Sequence, residues 1–157
     1  MSRAFVREPD ADVAAAQDAL PDRLISAHPN FVTATGLQLI DERLRGIAAE
    51  RDAARARADA ASLAALAREQ RYWSARRGSA QVIEVAAAPD VIRFGATVTL
   101  ALSSGARRTY RIVGEDEANP STGTLSYVSP LAKQLLGRHV GDDVGLGEQQ
   151  ATIVALD

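Results

Sequence analysis

Tyr110-Arg111-Ile112-Val113-Gly114-Glu115-Asp116-Glu117-Ala118 is an alternating strand that meets a glycine and runs straight into three carboxylates. A dozen positions on, Ser129-Pro130-Leu131-Ala132 reads as a helix start. Serine is a favoured N-cap, and proline suits the first helical position, where its missing N–H is no loss. Taken alone, the acidic run is a solvated turn. A solvated turn needs one or two acids, so three beside a separate Ser-Pro device suggest a surface that docks on something.

Around this pair the periodicity is that of strands. Val91-Ile92-Arg93-Phe94 and Thr97-Val98-Thr99-Leu100 flank Gly95, Ser103-Ser104-Gly105 marks a hairpin turn, and Leu125 to Val128 is a further strand. The helix from Leu131 to Leu136 stops at Gly137, a usual residue just past a helix end. Gly141-Asp142-Asp143 turns into a last strand, Gln150–Leu156. Residues 91–157 are therefore expected to form a small antiparallel sheet with one short helix.

Upstream the pattern is helical. Leu37, Ile40, Leu44 and Ile47 recur at the spacing of a coiled-coil seam, with Thr33 or Thr35 as a cap. The seam thins through Arg51–Ser62 and returns at Leu63, Leu66 and Trp73. One helix over residues 37–80 would run ~66 Å with no partner for its seam. Two antiparallel helices turning near Asp59 would bury both seams, although no glycine or proline marks the turn. Local sequence leaves both readings open. Gln81–Val85 is strand-like, residues 81–90 serve as a linker, and residues 1–30, acidic and broken by Pro9, Pro21 and Pro29, read as a largely disordered tail.

Composition excludes several functions. The 157 residues carry 18 Lys/Arg against 20 Asp/Glu, with no basic cluster, so independent sequence-specific nucleic-acid binding is not expected. Without cysteine there are no disulfides or thiol chemistry, and two isolated histidines do not make a zinc site. No cofactor and no metal are expected. No apolar run is long enough for a membrane helix, and the expected location is the cytoplasm.

Residues 91–144 resemble the C-terminal domain of the bacterial GreA/GreB transcript-cleavage factors. The resemblance rests on Arg93–Leu100, Thr109–Ala118, Ser129-Pro130-Leu131-Ala132, Leu135-Leu136-Gly137 and Val140-Gly141-Asp142, matching in order and spacing. At the N-terminal side, Thr33-x-x-Gly36-Leu37 looks like the family's start of its first coiled-coil helix, and Ser79–Ile83 like the exit from its second. The resemblance implies an α+β fold: an antiparallel coiled-coil hairpin over residues 31–80, then an antiparallel β domain like the FK506-binding proteins. It also implies docking on bacterial RNA polymerase at the rim of the secondary channel. The implied contacts are Glu115, Asp116, Glu117, Ala118, Ser129, Pro130, Leu131 and Ala132.

At the hairpin turn the sequence departs from the family. Gre factors carry two acidic residues there, whereas Arg57-Ala58-Asp59-Ala60-Ala61-Ser62 offers Asp59 with no acid in the next four positions. Magnesium held with substrate phosphates normally needs two or more oxygen ligands. Each arm is also short, about 22 residues or ~33 Å, against family arms longer by roughly ten residues or ~15 Å. The expected function is a polymerase-binding regulator of elongation that is not itself an enzyme and does not stimulate cleavage. The alternatives are a cleavage factor acting through Asp59 and, from the fold, a prolyl isomerase.

Overall fold

The computed structural model of the protein describes residues 20–85, 87 and 89–157. In chain order come β1 (Phe31–Val32), helices α1 (Ala34–Ala56) and α2 (Ala60–Ser79), and β2 (Gln81–Val82). Then follow β3 (Thr97–Leu102), β4 (Arg107–Val113), β5 (Thr124–Ser126), α3 (Pro130–Leu135), β6 (Asp143–Leu146) and β7 (Gln149–Leu156). The chain divides into two compact units: residues 43–75 with the segment before residue 26, and residues 26–42 with 76–157.

In the first unit two helical arms fold back on each other. Ile47 and Ala54, a heptad apart, are fully buried, and the Arg51 guanidinium reaches the side chain of Gln70 on the other arm. The turn needs no glycine because its hydrogen bonds close it. The Asp59 N–H donates to the Ala54 carbonyl and the Ala58 N–H to that of Arg55, each at 3.0 Å. That is the Schellman pattern, and it holds Ala58 in the left-handed region at φ 52°. Asp59 then caps α2, accepting from the Ser62 N–H at 3.0 Å and the Ser62 hydroxyl at 2.6 Å.

Residues 20–25, within the segment read from sequence as a tail, make polar contacts to α2. Arg68 Nε donates to the Pro21 carbonyl at 2.7 Å, Arg71 pairs with Asp22 at 2.5 Å, and Arg23 pairs with Glu69 at 2.8 Å. The Arg23 guanidinium also lies 3.6 Å from the Tyr72 ring centroid. Of the rest of the expected tail, residues 26–30 belong to the second unit, where Asn30 is buried, and residues 1–19 lie outside the described residues.

In the second unit a five-stranded sheet runs β5-β4-β3-β7-β6. Along β3, Val98, Leu100 and Leu102 point inward and alternate with half-exposed residues. Val98 and Leu100 meet Ile112, Leu125, Leu135 and Ile153 in one core, each such side chain contributing ~1.5–3 kcal/mol on burial.

Two expectations need correction here. The sheet is not wholly antiparallel: β5 pairs with β4 in parallel, Arg111 opposite Thr124 and Val113 opposite Ser126. Residues 91–94 are not a strand. Their backbone bonds go to the chain leaving α3, with Ile92 N–H to the Arg138 carbonyl and Gly137 N–H to the Ile92 carbonyl, both 2.8 Å. Ile92 is buried in the core, and this accounts for the apolar pattern that resembled a strand. A short strand also goes beyond the sequence reading: β6 pairs antiparallel with β7, Val144 opposite Ala151.

Candidate functional site

The parallel pairing of β4 and β5 brings the two sequence motifs together. With Val113 opposite Ser126, the chain leaves both strands at the same end of the sheet. The Tyr127 N–H donates to the Val113 carbonyl at 2.9 Å. The turn Glu115–Glu117 thus lies at the same end as the segment that leads through Ser129 into α3.

The three carboxylates have internal partners of two kinds: hydroxyl and backbone N–H groups for Glu117, and one arginine for Asp116 and Glu115. Glu117 accepts the Thr33 N–H at 3.0 Å, the Thr33 hydroxyl at 2.7 Å and the Gly114 N–H at 2.9 Å. Thr33 in turn caps α1, its hydroxyl oxygen accepting the Gly36 N–H at 3.0 Å. In an ordinary capping box the carboxylate three residues into the helix reaches back to the cap's N–H. Here that position is Gly36, and the carboxylate arrives from 84 residues away.

Both glycines of this arrangement are needed for space. A β-carbon on Gly36 would stand 2.5 Å from the Glu117 carboxyl carbon, and one on Gly114 would stand 2.4 Å from the Phe31 carbonyl. The motifs Thr33-x-x-Gly36 and Gly114-x-x-Glu117 are therefore the two halves of one clasp.

Asp116 pairs with Arg76 in the last turn of α2. Arg76 is 1% exposed, and its Nη2 lies 3.6 Å from Glu115 Oε2. A buried guanidinium is tolerated only when paired. The main-chain carbonyl of Arg76 accepts from Asn30 Nδ2 at 2.7 Å, and Asn30 is itself buried. Sequence reasoning missed Arg76. The signal was present: it falls on the α2 seam three residues after Trp73, where an arginine needs a buried acid.

Beside this ion pair the rings of Phe31, Phe94 and Tyr127 pack edge-on or tilted, with centroids 5.3–6.1 Å apart. The Tyr127 hydroxyl donates to the Pro29 carbonyl at 2.5 Å. Its pKa is raised, chiefly by burial and secondly by the Glu115 charge, with Arg76 acting in the opposite sense.

In the second motif, Ser129 Oγ accepts the Ala132 N–H at 3.3 Å as expected of an N-cap. Pro130 is exposed, Leu131 packs partly against the core, and Ala132 is fully buried. Of the eight residues implied as contacts, Ala132 thus has no surface to offer. Glu115 keeps 21% of its side chain exposed and Asp116 10%.

Asp59 is held in the first unit as a helix cap, and its pKa is lowered by the two Ser62 hydrogen bonds, with Arg57 adding a smaller effect. Neither carboxylate oxygen is without a hydrogen bond. Prolyl isomerisation requires an aromatic-lined pocket, and the cavity that Phe94 borders is not of that kind, because Phe31 and Tyr127 pack on the ring outside it. Phe94 borders a cavity of about 220 Å³ whose other lining residues, among them Ile83, Val85 and Pro89, are not aromatic. Among the described residues no helix is long and apolar enough to cross a membrane.

Residues 87–155 match the family model described as transcription elongation factor, GreA/GreB, C-term. The transcription elongation factor GreA of Desulfovibrio desulfuricans is 44% identical over 78 residues, covering 48% of this chain and 48% of that protein. GreA of Geobacillus kaustophilus is 48% identical over 73 residues, 43% of this chain and 46% of that protein. The chain thus spans about half the length of these relatives. Among solved structures, GreA factor homolog 1 of Thermus thermophilus is similar with TM-score 0.41 and 25% identity, over 83% of this chain and 99% of that one. The GreA/GreB factor of Nitrosomonas europaea is similar with TM-score 0.41 and 16% identity, over 80% and 97%. Residues 87–155 are thus similar to the C-terminal domain of the GreA/GreB transcription elongation factors, and the similarity to the curated relatives is confined to about half of the chain.

Proposed function

We propose that the protein is a cytoplasmic, non-enzymatic regulator of transcription elongation that docks on RNA polymerase at the secondary-channel rim and does not stimulate transcript cleavage. The observation that carries the second half is Asp59. Both of its carboxylate oxygens are engaged by Ser62 as a helix cap, and no second acid follows within four residues. Magnesium held together with substrate phosphates normally needs two or more oxygen ligands, and Asp59 supplies a single anchor that the fold uses as a helix cap. The first half is supported by the family match and by the meeting of the acidic turn with the Ser-Pro helix start at one end of the sheet.

Within the docking surface the residues divide by what the fold leaves accessible. Glu115, Ala118, Ser129, Pro130 and Leu131 keep exposed surface and supply contact. Asp116, Glu117 and Ala132 position that surface: the first two fasten the acidic turn to Arg76 and Thr33, and the last lies in the core. Bound there, the protein would restrict nucleotide access or compete with cleavage factors. The test is binding of fluorescently labelled protein to core polymerase. Wild type binds, while Glu115→Gln and Pro130→Ala weaken binding with the fold intact. Absence of wild-type binding refutes the reading.

A further inference from the structure

We propose that the open edge of β4 at Arg107–Tyr110 is a docking site for an extended acidic peptide, which would add a strand to the sheet. In an antiparallel pair, backbone groups of alternate residues point to opposite edges. Leu102 N–H donates to the Ala106 carbonyl and Ile112 N–H to that of Ala96, so even-numbered residues of this stretch face β3. Arg111 N–H donates to the Gly123 carbonyl and the Val113 carbonyl accepts from Tyr127 N–H, so odd-numbered residues face β5. β5 reaches only Arg111–Val113. The N–H and C=O groups of Arg107 and Thr109 therefore point out of the sheet with no strand beside them.

This edge lines a cleft of about 330 Å³ whose other wall is residues 120–123. Residues 107–109 are exposed, and neither Arg107 nor Arg108 makes an ion pair among the described residues. A bare strand edge is commonly blunted by charge, and two arginines serve that purpose. The same arginines make the edge selective, because Arg107 and Arg108 lie on opposite faces of the strand, so carboxylates lining either face of an added strand meet a guanidinium with no competing partner.

A peptide fits this cleft better than a nucleic acid. The Ser121 and Thr122 hydroxyls already donate to Asn119, at 2.6 and 3.0 Å, so they present lone pairs to the cleft. The Arg107 carbonyl does the same, while the Thr109 carbonyl packs against Gly123, where a β-carbon would stand 3.0 Å from it. Phosphate oxygens have nothing to give those acceptors, whereas a peptide supplies N–H groups in the alternation the edge requires.

The experiment titrates the full chain with a fluorescein-labelled peptide of alternating aspartate and valine, read by anisotropy and by amide NMR shifts. Saturable binding is expected, with the largest shifts at the Arg107 and Thr109 amides. R107S/R108S should weaken it about tenfold, the scale of a lost charged pair. An alternating lysine–valine peptide, or an aspartate–valine peptide methylated on its backbone nitrogens, should fail to bind. Equal binding of either control overturns the proposal, as do the largest shifts lying away from β4 or no shifts at millimolar peptide. Tighter binding of single-stranded RNA at the same amides overturns it in favour of a nucleic-acid site.

Discussion

Gly36→Ala is the substitution whose sign the clasp decides. Within a helix, glycine to alanine ordinarily stabilises by up to ~1 kcal/mol. Here the new methyl would stand 2.5–2.6 Å from the Glu117 carboxylate. The backbone of α1 is fixed by its ladder, so the carboxylate must leave. It gives up the Thr33 N–H, the Thr33 hydroxyl and the Gly114 N–H together. Thr33 is 2% exposed, and water has little room to replace the lost acceptor. Hydrogen bonds to a charged group contribute about 1.5–3 kcal/mol each and do not add fully. Against the helix gain, we expect a net loss of about 2–3 kcal/mol. The assay is urea unfolding followed by the amide signals of Ile112 and Ile153, which report the sheet. In a Glu117→Ala background nothing remains to expel, so the same substitution should become stabilising, by about 0.5–1 kcal/mol. If Gly36→Ala stabilises in both backgrounds, the remote carboxylate is not capping α1 and the reasoning fails.

Three further outcomes follow from the same geometry. Among the described residues, Asp116→Asn leaves the more distant Glu115 as the carboxylate facing the buried Arg76 and should cost about 2–4 kcal/mol, whereas Asp116→Asn with Arg76→Met should recover most of it in the same unfolding assay. Ala58→Gly relieves a left-handed alanine and should raise the stability of the helical hairpin by under ~1 kcal/mol, since glycine also loosens the unfolded chain; a loss would place the turn elsewhere. Asp59 has a lowered pKa, so its cap is fully present above the ordinary aspartate range and is lost as pH falls through the lowered value. The Ser62 amide should report that step by NMR, and Asp59→Asn, which still caps, should remove the step while keeping the helix.

Where periodicity meets a continuous partner, the sequence was sufficient. The alternation of Thr97–Leu102 and the cap at Ser129 fall where the residues place them. Residues 91–94 misled because a buried Ile92 beside Phe94 imitates a strand while its backbone bonds go to residues 137 and 138. The three carboxylates were legible as unusual, but not as a clasp. Their partners, Thr33 and Arg76, lie 84 and 40 positions away, and no local rule joins such residues. Gly36 carried the clue, since a glycine at the third helical position costs helix propensity and must admit something. The absence of glycine at the hairpin turn proved a weak objection, because the Schellman bonds and the Asp59 cap hold Ala58 in the conformation glycine would favour.

The most direct test of the proposed function is RNA release from an arrested elongation complex to which the protein is added. The account predicts that no short 3′ RNA fragments appear, and that release driven by an authentic GreA falls as this protein is titrated in. Fragments released by this protein alone, and lost with Asp59→Ala, would contradict it.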